Sequence, residues 1–177
     1  MSLTILLFLS IVLLLGFAFT RTYVKRSMLA RLNWDDLLIE LEPVSTEEIS
    51  TIALDYLHPR RGEARIQPEA LWEMIGKADG LRKMYANAGV LIALAAYAQR
   101  WNRTESLVVV ERMRRDGKIL RRATLRLSLG LVLGYDRVYG PFSVQEAATA
   151  YYLMRERVLA LYETSHAGRL PRLAAVV

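Results

Sequence analysis

Close to its N-terminus the chain has a long apolar run without a charged residue. Residues 2–20 are nineteen residues dominated by Leu, Ile, Val and Phe, with no Asp, Glu, Lys, Arg or His. As an α-helix, this run would span roughly 28 Å. The hydrocarbon core of a bilayer is about 30 Å thick. The run therefore predicts one transmembrane helix, followed by a single compact domain.

A cleaved signal peptide is the alternative interpretation of the run, because the Gly-Phe-Ala sequence at 16–18 resembles a small-x-small cleavage pattern. The run has no Lys or Arg before it and is longer than the usual apolar region of about 7 to 15 residues, which favours a retained signal anchor. Positive charges follow it, which predicts an outside N-terminus and a cytoplasmic domain at a bacterial-type inner membrane. These charges, also candidates for binding lipid headgroups or partners, are Arg21, Lys25 and Arg26.

Helical patterns dominate the rest of the chain, so the predicted fold is all-α, with a small helical bundle after the transmembrane helix. The strongest helix prediction is 81–102, whose middle is continuously apolar and suits the buried centre of a bundle. Two capping-box patterns, Ser45 with Glu48 and Ser143 with Glu146, predict helix starts. Pro68 suits the first turn of a further helix. The predicted parts are the anchor at 1–22, a basic juxtamembrane stretch and amphipathic helix at 23–44 (helix 28–41), the helical domain at 45–166 and a tail at 167–177.

Residues 105–133 support two interpretations. Asp116-Gly117 is a hairpin turn signal and leucines alternate from 125 to 133, which together indicate a β-hairpin at 107–127. Leu, Arg, Met and Ala are good helix formers and dominate the segment. We therefore favour two helices broken at Asp116-Gly117.

Charges are segregated along the chain. Residues 35–55 contain seven acidic residues and no Lys or Arg, whereas 100–126 contain nine basic and three acidic residues. The basic region would present these residues along one helical face, as candidates for binding lipid headgroups or a partner: Arg115, Lys118, Arg122 and Arg126. Such a face suits anionic headgroups or an acidic protein. Nucleic acid is disfavoured because no recognised motif accompanies the arginines. Neutralisation between the two regions is the remaining alternative.

Catalytic motifs are missing from the sequence. Zero cysteines exclude disulfides, thiol catalysis and Cys-ligated metals. No nucleophile elbow, zincin, P-loop or dinucleotide pattern occurs. Two acid-x-x-His pairs have the spacing of a di-metal carboxylate bundle, which gives a remote metal site: Asp55, His58, Glu163 and His166. Both histidines end predicted helices, where an imidazolium complements the helix dipole, so helix capping is the favoured explanation.

These patterns predict a non-catalytic accessory or scaffolding subunit of a larger membrane complex, photosynthetic or respiratory. We expect integral membrane subunits and anionic lipid headgroups as partners, and no cofactor, nucleic acid or small-molecule substrate. The first alternative is a membrane-tethered adaptor that binds an acidic partner or anionic lipid through the basic helical face of residues 115–126. The second is a di-metal carboxylate enzyme.

Overall fold

A computed structural model describes residues 20, 24, 27–58, 66–98, 103–133 and 136–165. Every regular element within these ranges is an α-helix, which confirms the all-α part of the predicted fold. The chain divides into two compact units, Met1–Leu32 and Asn33–Val177. The second unit contains α1 (Trp34–Ile39), α2 (Thr46–Leu57), α3 (Pro68–Met74), α4 (Lys77–Ala98), α5 (Arg103–Leu133) and α6 (Asp136–Ser165).

The transmembrane helix is the part of the predicted fold that is contradicted. None of the helices in the described ranges is both long enough and apolar enough to cross a bilayer. The long helices α5 and α6 carry many charges, and α4 is uncharged only over 84–98, roughly 22 Å. The run at 2–20, apart from Thr20, lies outside the described residues. The membrane-spanning and signal-anchor predictions are therefore withdrawn.

Helices α4 and α6 form the centre of the second unit. α6 packs against α2, α3, α4 and α5, and α4 packs against α1, α3, α5 and α6. Burial of apolar side chains is the main force holding such a bundle together. α4 begins at Lys77, four residues before the predicted helix at 81–102, and residues 99–102 of that prediction lie outside the described residues. The most completely buried side chains include Leu37, Ile52, Leu71, Met84, Leu91, Leu94, Met113, Leu120, Tyr151 and Met154.

The predicted break and the alternative β-hairpin at Asp116-Gly117 are both wrong, because α5 runs through these residues without interruption. Asp116 is buried and forms an ion pair with Arg157 of α6. A Cβ at Gly117 would lie 3.1 Å from Cδ1 of Ile92, so glycine allows α4 to approach α5 closely. Packing by α4 and α6 thus overrides the local turn preference of the Asp-Gly pair.

The turn between α3 and α4 depends on two glycines. Gly76 has a positive φ of 77°, a conformation that L side chains rarely adopt. The Gly80 amide donates to the Gly76 carbonyl at 3.0 Å. A Cβ at Gly80 would overlap the carbonyl oxygen of Ile75. The sequence therefore permits α4 to start directly after α3 only because both positions lack a side chain.

The two predicted capping boxes differ in outcome. Ser45 occupies the N-cap of α2, as predicted, although its side chain makes no capping hydrogen bond. The second pattern is wrong, because α6 begins at Asp136 and Ser143 is a buried residue inside it. Pro141 also lies inside α6, where it lacks the N–H for one helical hydrogen bond. Ser143 is therefore a buried polar residue within a packed helix and does not mark the start of one.

The predicted helix at 28–41 is interrupted. Residues 27–29 are helical, residues 30–32 form a turn and bend, and α1 starts at Trp34. Asn33 is extended, with φ −77° and ψ 170°, and its carbonyl accepts from the Leu37 amide at 3.0 Å. Asn33 thus occupies the N-cap of α1, a position that asparagine favours, although its side chain makes no capping hydrogen bond.

Candidate partner-binding surface

The outer side of α5 carries most of the predicted basic face. Its inner side is buried, through residues that recur at helical spacing and include Val110, Met113, Leu120, Ala123 and Leu127. Between them, Arg115, Lys118 and Arg122 are exposed. We call these three residues the basic stripe. They have no carboxylate within ion-pair distance among the described residues.

Arg126, the fourth predicted member, has a different role. Its guanidinium lies 3.0 Å from the carboxylate of Glu146 on α6. Because Arg126 remains about half exposed, this pair contributes at most about 1 kcal/mol to folding. It joins α5 to α6, so Arg126 is better regarded as a structural residue than as part of the stripe.

A second ion pair sets the orientation of α5. Asp116 on α5 pairs with Arg157 on α6, ten residues before Arg126 along α5 and eleven after Glu146 along α6. The two pairs thus fix one antiparallel register between these helices. Burial, with a smaller contribution from nearby Arg112, lowers the pKa of Arg157. With Asp116 facing inward, the basic stripe must face outward.

Exposed apolar side chains lie at both ends of the basic stripe. Leu107 and Val108 precede it and Leu125 and Leu129 follow it, and each is more than half exposed. At 100° per residue, these four residues and the basic stripe fall within a single arc of about 100° on the helix. The outer face of α5 is therefore apolar, then charged, with exposed Glu111 followed by the basic stripe, then apolar along its length. Sequence reasoning had identified the charges but not the apolar ends.

The acidic region at 35–55 is also largely at the surface. Its carboxylates do not pair with the basic stripe, because no ion pair of the described residues joins the two regions. Glu42 pairs instead with Arg82 of α4 at 2.8 Å. The predicted alternative of internal neutralisation therefore has no support in this part of the chain. The exposed acidic residues are Asp35, Asp36, Glu40, Glu47 and Glu48.

A buried asparagine holds the acidic region against the bundle. The side chain of Asn87 accepts from the Glu42 amide at 2.8 Å and donates to the Glu42 carbonyl at 2.7 Å. It also donates to the hydroxyl of Tyr151 at 3.1 Å. Arg82 adds a forked pair of hydrogen bonds to the Glu42 carboxylate, at 2.8 and 3.2 Å. Glu42, which lies between α1 and α2, is thus fixed through both its backbone and its side chain.

Sequence reasoning missed this network. Asn87 lies on the same side of α4 as Met84, Val90 and Leu91, and it is only 1% exposed. A polar residue on an apolar helix face is the signal that could have found it, because buried amides are nearly always hydrogen-bonded. Burial raises the pKa of Tyr151, although the Asn87 hydrogen bond acts in the opposite direction.

The predicted metal site is not assembled within the described residues. No group of three potential His or carboxylate ligands is found among them. Asp55 is half-buried, whereas His58 and Glu163 are exposed. His166 lies outside the described residues, as do Arg21, Lys25 and Arg26.

No protein-family model matches this chain, and neither curated proteins nor solved structures give a match. Function must therefore be argued from the surface itself. The expected partners, the expected location and the expected lack of catalysis stay predictions.

Proposed function

We propose that this chain is a non-catalytic adaptor or accessory subunit that binds an acidic surface of a partner protein through α5. The observation that carries the proposal is the basic stripe, whose three cations are exposed and unneutralised among the described residues. Opposite charge on a partner sets orientation and accelerates encounter more than it adds affinity. Affinity needs a further source, which the apolar ends supply.

The leucines beside the basic stripe favour a protein partner. Leu125 and Leu129 are 59% and 51% exposed. Burying the exposed part of each leucine side chain against a partner would contribute about 1 kcal/mol to binding. Phosphate backbones offer no apolar surface for such side chains, and nucleic-acid recognition rests on contacts with phosphates and base edges. An acidic helix with apolar residues at its ends would match both parts of the face.

The rigid support of α5 also suits a binding role. Two ion pairs and the buried inner face hold α5 against α6 in one register. A partner would thus meet a preformed row of charges and would spend little binding energy on ordering it.

Photo-crosslinking in living cells tests this proposal. A photoreactive residue would replace Lys118, at the centre of the basic stripe, or Lys77, an exposed lysine at the start of α4. We expect position 118 to give an adduct of fixed mass with an acidic protein segment, and position 77 to give none. The adduct should disappear when Arg115→Glu and Arg122→Glu are added. Equal adducts from both positions, or an adduct that survives the reversal, would refute the proposed surface.

A further inference from the structure

We propose that the occupant of the basic stripe is a second copy of this chain, which docks through its own acidic region at 35–55. This inference rests on the proposed function and names the partner. Complementary charge is the first argument. Five exposed acidic residues lie in one region of the chain, and another region carries three cations that no described carboxylate neutralises. Because these regions do not pair within the chain, each remains available to the other in a neighbouring copy.

Helix α2 matches α5 in the spacing of its exposed residues. Glu47 and Leu54 of α2 are both exposed and are separated by seven residues, or two helical turns. Lys118 and Leu125 of α5 are exposed with the same separation. If α2 lies parallel to α5, Glu47 meets Lys118 and Leu54 meets Leu125. One register thus satisfies a charge pair and an apolar pair at once.

Contacts with the bundle hold the acidic region in a fixed position before any docking. Asn87 holds the backbone of Glu42 on both sides, and Arg82 holds its carboxylate. α2 itself packs against α6 and α3, and its residues Ile49, Ile52 and Ala53 are buried. The outward face of α2 is therefore presented on a fixed support.

Pairing of α5 with α5 from another copy is disfavoured. Two antiparallel α5 helices would place one basic stripe opposite the other, because Lys118 lies near the centre of the exposed face. Like charges held in register repel each other and discourage that association. The acidic region offers the basic stripe the opposite sign instead.

The proposed contact joins different surfaces of the two copies. Head-to-tail contacts of this kind form rings when they close and open chains when they do not. Association should therefore give at least a dimer, and salt should weaken it.

Sedimentation of the full chain tests the inference. A mild non-ionic detergent would be present, because the apolar run at 2–20 could add association that salt does not weaken. We expect the average mass to be at least doubled at about 0.05 M salt and to return to one chain at about 0.5 M, where screening lengths shrink to a few Å.

Neutral substitutions test the basic stripe and the acidic region separately. Lys118→Gln with Arg122→Gln removes most of the basic stripe, including the proposed partner of Glu47, and Glu47→Gln with Glu48→Gln removes charge from α2. Each variant alone should sediment as one chain. An equimolar mixture should form a discrete 1:1 complex, since one intact contact remains between the two variants.

Matched controls change net charge equally without touching either surface. They are Arg31→Gln with Lys77→Gln, and Glu69→Gln with Glu73→Gln, all at exposed positions. Both controls should associate like the original chain, and circular dichroism should show unchanged helix content in all variants.

Three results would overturn the inference: one-chain sedimentation of the original protein at low salt, loss of association in the controls, or failure of the mixture to form a complex. None of these would remove a position-118 adduct with a different acidic protein, which would still support the proposed function. Conversely, the absence of any stripe-dependent adduct together with one-chain sedimentation would refute both.

Discussion

Replacing Asn87 with alanine should destabilise the fold strongly, because one side chain connects three parts of the bundle. Asn87→Ala removes its hydrogen bonds with the Glu42 amide, the Glu42 carbonyl and the Tyr151 hydroxyl, which are 2.8, 2.7 and 3.1 Å long. A hydrogen bond of this type contributes about 1 kcal/mol net. The expected loss is therefore about 3 kcal/mol, and more if the Glu42 backbone groups stay buried without partners.

Urea unfolding followed by far-UV circular dichroism measures this loss as a lower midpoint. In thermal unfolding, the same loss should lower the Tm by about 6 to 12 °C, at about 2 to 4 °C per kcal/mol for a protein of this size.

Arg82→Gln is the matched control for Asn87→Ala, because it removes contacts to the same residue at the surface. Arg82 is 59% exposed, and within the described ranges its ion pairs are those with the carboxylates of Glu42 and Asp79. Because these ion pairs are exposed and screened by solvent, the control should lose much less stability than Asn87→Ala. The reasoning is refuted if Asn87→Ala costs less than about 1 kcal/mol, or if the two variants lose equal stability.

Three further predictions concern single contacts. Gly80→Ala should lower the free energy of unfolding by about 3 kcal/mol or more in a urea titration, because its Cβ would overlap the Ile75 carbonyl and the backbone must shift; a loss below about 1 kcal/mol would contradict the tight turn. Asp116→Ala should lose about 2 to 3 kcal/mol in the same assay, since it leaves the half-buried Arg157 without its carboxylate; unchanged stability would contradict the ion pair. Because burial raises the pKa of Tyr151, its contribution to stability is fully present below the ordinary tyrosine pKa of about 10 and is lost as pH rises through the folded value. Urea midpoints measured from pH 9 to pH 11 should therefore fall more steeply for the original chain than for Tyr151→Phe, and parallel slopes would disprove this assignment.

Local patterns predicted much of the secondary structure. Pro68 marks the first residue of α3, and Ser45 marks the start of α2, as the sequence indicated. These predictions succeed because proline and N-cap preferences depend on the chain within one helical turn. The predicted line of Arg115, Lys118 and Arg122 also succeeds, because helical periodicity alone places them on one face.

The failures arise where distant residues decide the outcome. The Asp116-Gly117 pair prefers a turn in isolation, but the Asp116 carboxylate pairs with Arg157, which is about forty residues later in the chain. The Asn87 network depends on Glu42 and Tyr151, which lie 45 and 64 residues away. Arg126 could not be separated from the basic stripe without knowing that Glu146 lies opposite it.

Native gel electrophoresis of gently extracted, tagged protein tests the central claim that α5 binds a protein partner. The original chain would be compared with Arg115→Glu plus Arg122→Glu, and with Arg31→Glu plus Lys77→Glu as an equal change in net charge. We predict that the original chain and the control migrate with an assembly much larger than one chain, and that the stripe variant migrates alone. The account is contradicted if the stripe variant stays in the assembly, or if the original chain itself migrates alone.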